Sequence, residues 1–360
     1  MTFDPSKALA GLGWREDLPA AVAFRANPVG RVARISEQHR SGYRACCDGE
    51  EFSVQAPAAW TRAGFPPEQR AVVGDFVRLD DTGEQIVELL PRGSLFKRAA
   101  AGETLKTQPI AANIDTVFVV TGLDGDFNPR RLERYLVLVH ASGARPVVLL
   151  TKLDRNENAE AMRAELADIV ASGVPVLMLN AKDRESVEQL SPWLAPGQSI
   201  VLVGSSGAGK STLTNTLTGR AKMKTGAVRE RDSRGRHTTT HRALIPLPQG
   251  ACLIDTPGMR ELKLAGDESL ADVVFDDILA LAQDCRFRDC RHGKEPGCAV
   301  RAALESGELD PGHFANYRKL HAELAQATQT LAARPAVVVR KQKPAPRRRD
   351  WADEDQDLDE

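Results

Sequence analysis

The chain has 360 residues, 42% of them hydrophobic and 27% charged, which describes an ordinary soluble protein long enough for two or three domains with separate cores. A formal net charge of -1 excludes a global pull toward polyanions, yet Lys and Arg gather locally at 92–98, 222–236, 286–301 and 340–349. No stretch approaches the ~18 consecutive apolar residues of a membrane helix and no N-terminal stretch has a basic start followed by an apolar run, so no membrane partner, a cytoplasmic location and six reduced cysteines are expected.

Residues 1–27 form an N-terminal extension. From 28 to 90 the runs PVGRVARI, GYRACC, EEFSVQAP, AVVGDFVRL and EQIVELL read as five short strands broken by turn residues. That spacing predicts a small closed β-barrel over 28–98, with an OB-fold favoured over another barrel or sandwich. Tyr43, Phe52 and Phe76 are candidate base-stacking residues, although a small barrel needs such rings for its interior.

Over 99–265 apolar strands at 114–120, 147–150, 176–179, 200–203, 243–247 and 251–254 alternate with helical patterns at 130–142, 157–172, 184–194 and 210–219. This alternation predicts a multidomain α/β protein whose second domain is a sheet covered by helices on both faces. A small helical domain follows at 266–333, with helices expected at 267–283 and 311–333. The charged tail at 334–360 cannot bury enough apolar surface to order itself.

Gly204, Ser205, Ser206, Gly207, Ala208, Gly209, Lys210 and Ser211 spell a Walker A loop between a strand and a helix. Its backbone N–H groups would turn around phosphates, Lys210 would reach the β- and γ-phosphates, Ser211 would ligate Mg²⁺, and Thr212 would end the nucleotide-contacting run. Asp255, closing the strand at 251–254, and Gly258 make the DTPG element that holds the Mg²⁺ water shell and senses the γ-phosphate.

Thr151, Lys152 and Asp154 follow the strand at 147–150, and Asn180 and Ala181 follow that at 176–179. A carboxylate there accepts from guanine N1–H and N2–H₂ together, whereas adenine would leave it unpaired; such sites can discriminate by ~10⁴ to 10⁵. GTPases usually carry Asn at the position of Thr151, and the shorter side chain is expected to tie its loop less well to the phosphate loop.

Base reading here precedes phosphate binding, the reverse of the conventional order, so the domain is read as circularly permuted. With this order, RGSLFKR at 92–98, QPIAANIDTV at 108–117, RGRHTTTH at 234–241 and a Cys/His cluster near 285–298, the chain resembles the ribosome small-subunit-dependent GTPase A (RsgA/YjeQ) family over roughly 28–330. The resemblance implies an N-terminal OB-fold, a permuted P-loop GTPase domain and a C-terminal zinc-binding domain. It also implies GTP hydrolysis stimulated by the small (30S) ribosomal subunit in its late maturation, with rRNA and other assembly factors as partners.

Cys285, Cys290, His292 and Cys298 supply three thiolates and an imidazole, a closed tetrahedral set for one structural Zn²⁺; the family's zinc ligands carry over onto these four residues. Many GTPases place a water-orienting Gln just after DxxG, where this chain has Met259. Thr238 or Thr239 is therefore expected to close on Mg²⁺ and the γ-phosphate while His237 orients the water, the alternative being that His237 is a solvated residue of a basic loop. A monomeric GTP hydrolase acting on the small subunit is the expected function. A GTP-dependent RNA-binding switch without hydrolysis and an ATP-using P-loop enzyme are the competing readings.

Overall fold

The computed structural model describes residues 3–39, 42–62, 64–100, 103–219, 243–255 and 275–332. The expectations on His237, Thr238, Thr239, Gly258, Met259, the basic run at 222–236, the helical pattern at 267–274 and the tail from 334 lie outside those residues.

Two helices, α1 (Pro5–Ala8) and α2 (Pro19–Ala26), open the chain, each starting on a proline whose missing N–H a first helical turn does not need. The N-terminal segment is packed down rather than trailing. Leu9, Ala20, Ala21 and Phe24 are buried, and Arg15 grips Asp115 through two guanidinium nitrogens, at 3.1 and 2.8 Å.

The five expected strands are present: β1 (Arg31–Gln38), β2 (Tyr43–Cys47), β3 (Glu50–Val54), β4 (Phe76–Leu79) and β5 (Ile86–Leu89). β1 pairs antiparallel with β2 and β4, β2 with β3, and β4 with β5. A parallel bridge between Gln55 and Gln85, with Gln55 N donating to the Glu84 carbonyl at 2.8 Å, then joins the ends of β3 and β5 and curls the sheet on itself. Phe76 is fully buried and Tyr43 nearly so, edge-on to Trp60 at 6.0 Å; the ring of Phe52 lies 5.1 Å under the Arg31 guanidinium. Tyr43 and Phe76 are core residues, and base stacking by either is excluded by their burial.

A hairpin of β6 (Leu95–Ala100) and β7 (Glu103–Ala112) spans position 98, the expected boundary between the first two domains. The sheet then continues through β8 (Thr116–Gly122), β9 (Arg145–Thr151), β10 (Val176–Met178), β11 (Ser199–Val203), β12 (Ala243–Pro246) and β13 (Cys252–Asp255), in the spatial order β10-β9-β8-β11-β13-β12. All neighbours are parallel except β12. β8 is buried at every residue, as a strand covered on both faces must be. Glu37 of β1 pairs with Ala243 of β12, which joins barrel and sheet into one eleven-stranded ladder. The fully buried Arg34 guanidinium fixes that junction by donating to the carbonyls of Leu12 (2.6 Å), Gly74 (3.2 Å) and Asn113 (3.2 Å).

Helix α3 (Pro129–Ser142) is capped by Asn128, whose side chain accepts from Arg131 N, and stops at the left-handed Gly143. Two shorter helices, α4 (Ala159–Ala164) and α5 (Ala167–Ala171), replace the single one expected at 157–172. A tightened turn there bonds Leu166 N to the Arg163 carbonyl (3.0 Å) and rotates Leu166 into the core. At 184–194 only α6 (Arg184–Val187) is α-helical, and the chain continues as a 3₁₀ turn through Pro192, whose ring cannot sit inside an α-helix. Helix α7 (Lys210–Thr218) follows β11.

Beyond the sheet lie α8 (Asp276–Gln283), α9 (Ala299–Ser306), which the sequence did not announce, and α10 (Pro311–Ala332). Phe275, Ile278, Val300, Leu309, Phe314 and Leu320 form their core together with Val137 of α3. Polar contacts complete this docking: Glu133 of α3 accepts from His313 Nδ1 (3.0 Å) and from Asn316, while Arg130 pairs with Asp310.

Candidate functional site

In a parallel sheet every strand delivers its carboxyl end to the same edge, so the order β10-β9-β8-β11-β13 fixes where the predicted residues meet. Thr151 ends β9, Asn180 and Ala181 follow β10, the phosphate loop follows β11, and Asp255 ends β13. Four loops separated in sequence therefore share one rim.

Glycines decide the phosphate loop. Gly204 has φ of 141°, and a Cβ there would stand 2.1 Å from the Val120 carbonyl oxygen; Gly209 has φ of 98° and caps α7. Ser206 and Gly207 are exposed at the tip, Ala208 is buried beneath it, and Ser211 and Thr212 lie half-buried on the first turn of α7. The Lys210 ammonium folds back to donate to the carbonyls of Gly204 (2.6 Å) and Ser205.

The Thr151 expectation needs correction. Its hydroxyl is fully buried and donates to the Ala208 carbonyl at 2.6 Å, so the threonine does tie its loop to the phosphate loop. The short side chain suffices because Gly209 has no Cβ to hold the loops apart: one built there would already be 3.1 Å from Thr151 Oγ1. Lys152 takes a left-handed backbone (φ 64°) and pairs with Asp124. Asp154 is half-exposed at the rim, with Lys182 Nζ and Arg155 Nε each 3.9 Å from its carboxylate. The Asn180 side chain accepts from Lys182 N at 3.1 Å, and the Ala181 carbonyl accepts from Thr216 of α7 at 2.6 Å.

Sequence reasoning passed over the loop between β8 and α3. Asp124 engages Lys152, and Asp126 accepts a hydrogen bond from the Ser205 hydroxyl. The run DGDFNPRR announces a helix start through Asn128 and Pro129, but nothing in it reports that the loop abuts Ser205.

A second constellation lies in the C-terminal helices, where Cys285, Cys290, His292 and Cys298 offer ligand atoms within 4.8 Å of one another. His292 Nδ1 is 3.6 Å from the sulfurs of Cys285 and Cys298, which are 3.9 Å apart. A tetrahedron with Zn–S bonds of ~2.3 Å has edges of about 3.8 Å, so the spacing of Cys285, His292 and Cys298 suits a zinc ion, with Cys290 near enough to complete the set. The left-handed His292 (φ 55°) and Gly297 (φ 75°) turn the chain around it. Cys298 also caps α9, its sulfur accepting from Arg301 N at 3.4 Å.

Residues 89–265 match the family model described as RsgA GTPase, and 187–346 match one described as ABC transporter; their overlap contains the phosphate loop, which both classes use. A protein of Xanthomonas axonopodis pv. citri named small ribosomal subunit biogenesis GTPase RsgA is 58% identical over 335 residues, 91% of this chain and 92% of that one. A protein of the same name from Xanthomonas oryzae pv. oryzae is 57% identical over the same shares. Among solved structures, YjeQ from Thermotoga maritima has a TM-score of 0.60 at 24% identity, covering 85% of this chain and 99% of that one. YloQ, described as a circularly permuted GTPase, has a TM-score of 0.57 at 23% identity, with 83% and 95% covered.

Proposed function

This chain belongs to the RsgA GTPase family and is a GTP hydrolase of small-ribosomal-subunit biogenesis, and we propose that it holds GTP along the carboxyl edge of β9, β10, β11 and β13. The observation that carries this is the strand order, which gathers base-reading and phosphate-binding loops on one rim despite their inverted sequence order. The Thr151–Ala208 and Ala181–Thr216 hydrogen bonds, both 2.6 Å, support it by locking those loops together.

In this reading the backbone amides of 204–210 and the start of α7 cradle the phosphates. Lys210 exchanges the carbonyls of Gly204 and Ser205 for the β- and γ-phosphates, and Ser211, followed by Thr212, faces the metal. Asp154 accepts from guanine N1–H and N2–H₂, and Asn180, Ala181 and Lys182 back the base. Mg²⁺, held by Ser211 and the water shell of Asp255, would neutralise charge on the transferred phosphoryl. Gly258 senses the γ-phosphate, Thr238 or Thr239 closes over it, and His237 orients the water.

The barrel is read as an OB-fold, supported by a strand circuit β1-β2-β3-β5-β4-β1 closed at Gln55 and Gln85. A division at 28–98, 99–265 and 266–333 is kept, with β6 and β7 as the hinge element between the first two. Cys285, Cys290, His292 and Cys298 hold one structural zinc, and the basic segment at 286–301 meets rRNA phosphates. The chain is read as a monomer working in the cytoplasm; among the described residues no helix is long and apolar enough to cross a membrane.

The decisive experiment measures multiple-turnover phosphate release with and without small ribosomal subunits at fixed salt, with GTP competed by ATP. Stimulation by the subunit and indifference to excess ATP are expected. Equal competition by ATP would overturn guanine recognition, and an unstimulated rate would overturn the link between subunit and hydrolysis.

A further inference from the structure

The loop from Leu123 to Asn128 is built rigidly for so exposed a position. Leu123 N donates to the Thr151 carbonyl (2.9 Å), Asn156 Nδ2 to the Leu123 carbonyl (2.8 Å), Asp126 N to Asp124 Oδ1 (3.1 Å) and Phe127 N to the Asp124 carbonyl (2.9 Å). Asn128 then caps α3 and sets Arg131 on its first turn, where the guanidinium reaches back to Asp126 Oδ1 at 2.7 Å. The other carboxylate oxygen, Oδ2, accepts from the Ser205 hydroxyl in the phosphate loop. Each oxygen of a mostly buried carboxylate, 18% exposed, thus has its own donor, one charged and one neutral.

A carboxylate beside a loop that binds phosphates would repel them unless its charge is met, and Arg131 meets it. The bond to Ser205 also does not depend on Lys210. When that lysine leaves the carbonyls of Gly204 and Ser205 for a nucleotide, the opening turn of the loop loses two contacts but keeps this one.

We propose that Asp126, neutralised by Arg131, is a positioning residue for the phosphate loop, fixing its opening turn through the Ser205 hydroxyl in the nucleotide-bound state. The inference rests on GTP occupying that loop. A contact made equally before and during phosphoryl transfer changes substrate binding and leaves the saturated rate alone.

The test is a charge-rescue cycle on the full chain with MgGTP and MgGDP titrations and basal turnover. Arg131→Gln strands the carboxylate and raises the Kd for GTP about tenfold, more than for GDP, which carries less charge. Asp126→Asn alone stays within about threefold of wild type, and the double variant returns to that level. Saturated turnover changes less than about twofold in each. If Arg131→Gln fails to fold, Ser205→Ala replaces it: it weakens GTP about threefold and leaves Asp126→Ala without further effect. A double variant no better than Arg131→Gln, additive losses at Ser205 and Asp126, or a lost saturated rate at normal affinity each overturns the proposal. Wild-type protein that does not prefer GTP would instead bring down the guanine reading beneath it.

Discussion

Thr151 donates its hydroxyl proton to the Ala208 carbonyl in a place no water reaches. Thr151→Val keeps the shape and removes the donor, leaving a buried carbonyl unpaired at a cost of ~1–3 kcal/mol. Because that carbonyl belongs to the phosphate loop, the expected result is a GTP Kd raised about tenfold in equilibrium titration, with a smaller loss of thermal stability. An unchanged Kd would separate this hydrogen bond from binding. The residue also shows what a string of letters withholds. Threonine in place of asparagine reads as a weakened tie because side-chain length is visible in sequence, whereas the closeness of the opposing backbone is not. That closeness is set by Gly209, whose missing Cβ admits the shorter side chain.

Between helices α3, α8 and α10 one imidazole bridges two carboxylates. His313 is 2% exposed, with Nδ1 3.0 Å from Glu133 and Nε2 3.2 Å from Asp277. Carboxylates only accept, so both ring nitrogens must carry protons and the ring must be a cation. Burial alone would push its pKa down; the two carboxylates override it and raise it from 6.5 to about 9. Since the folded value lies above the unfolded one, the stabilisation is complete below about pH 6.5 and drains away as pH rises toward about 9. Thermal unfolding followed across that window should show the midpoint falling with pH in wild type and flat in His313→Gln. At pH 6 the variant should be less stable by on the order of 3 kcal/mol, and a wild-type midpoint that climbs with pH would refute the assignment. None of this contact was legible beforehand, since Glu133 and His313 are joined only by the fold. Elements with strong local periodicity, such as β8, β9 and α3, emerge from the letters at nearly their final bounds. The hairpin of β6 and β7 does not, because Pro109 argues against a strand; the ladder accepts it where the register shifts between Phe96 and Lys97. Helix α9 is short and sits behind Gly297 and Cys298, where turn and metal signals mask its pattern.

Circular permutation leaves the sheet intact and changes what hangs from it, since the next described element after β13 is α8 of the C-terminal helices. Those helices share a core with Val137 of α3, yet they also gather Cys285, Cys290, His292 and Cys298 with ligand atoms within 4.8 Å of one another. If the cluster holds the proposed zinc, a unit so small would draw much of its folding free energy from that metal, apparent values for structural zinc being ~10–16 kcal/mol. The nucleotide loops, by contrast, are tied to one another and to the sheet through the Thr151–Ala208, Thr216–Ala181 and Ser205–Asp126 hydrogen bonds. Removing zinc should therefore divide the molecule. Chelation under reducing conditions is expected to release one zinc per chain, expose 285–310 to protease and lower helical circular dichroism, while GTP affinity stays within about threefold. Subunit-stimulated turnover should fall, because the basic face at 286–301 loses its shape, whereas basal turnover should not. Loss of GTP affinity in step with zinc would mean that the helical unit supports the phosphate loop directly, with α3, which places Val137 in the helical core, as the element that reaches both. In that event Arg130→Ala, which frees Asp310 without touching the cysteines, should reproduce the loss in the zinc-loaded protein.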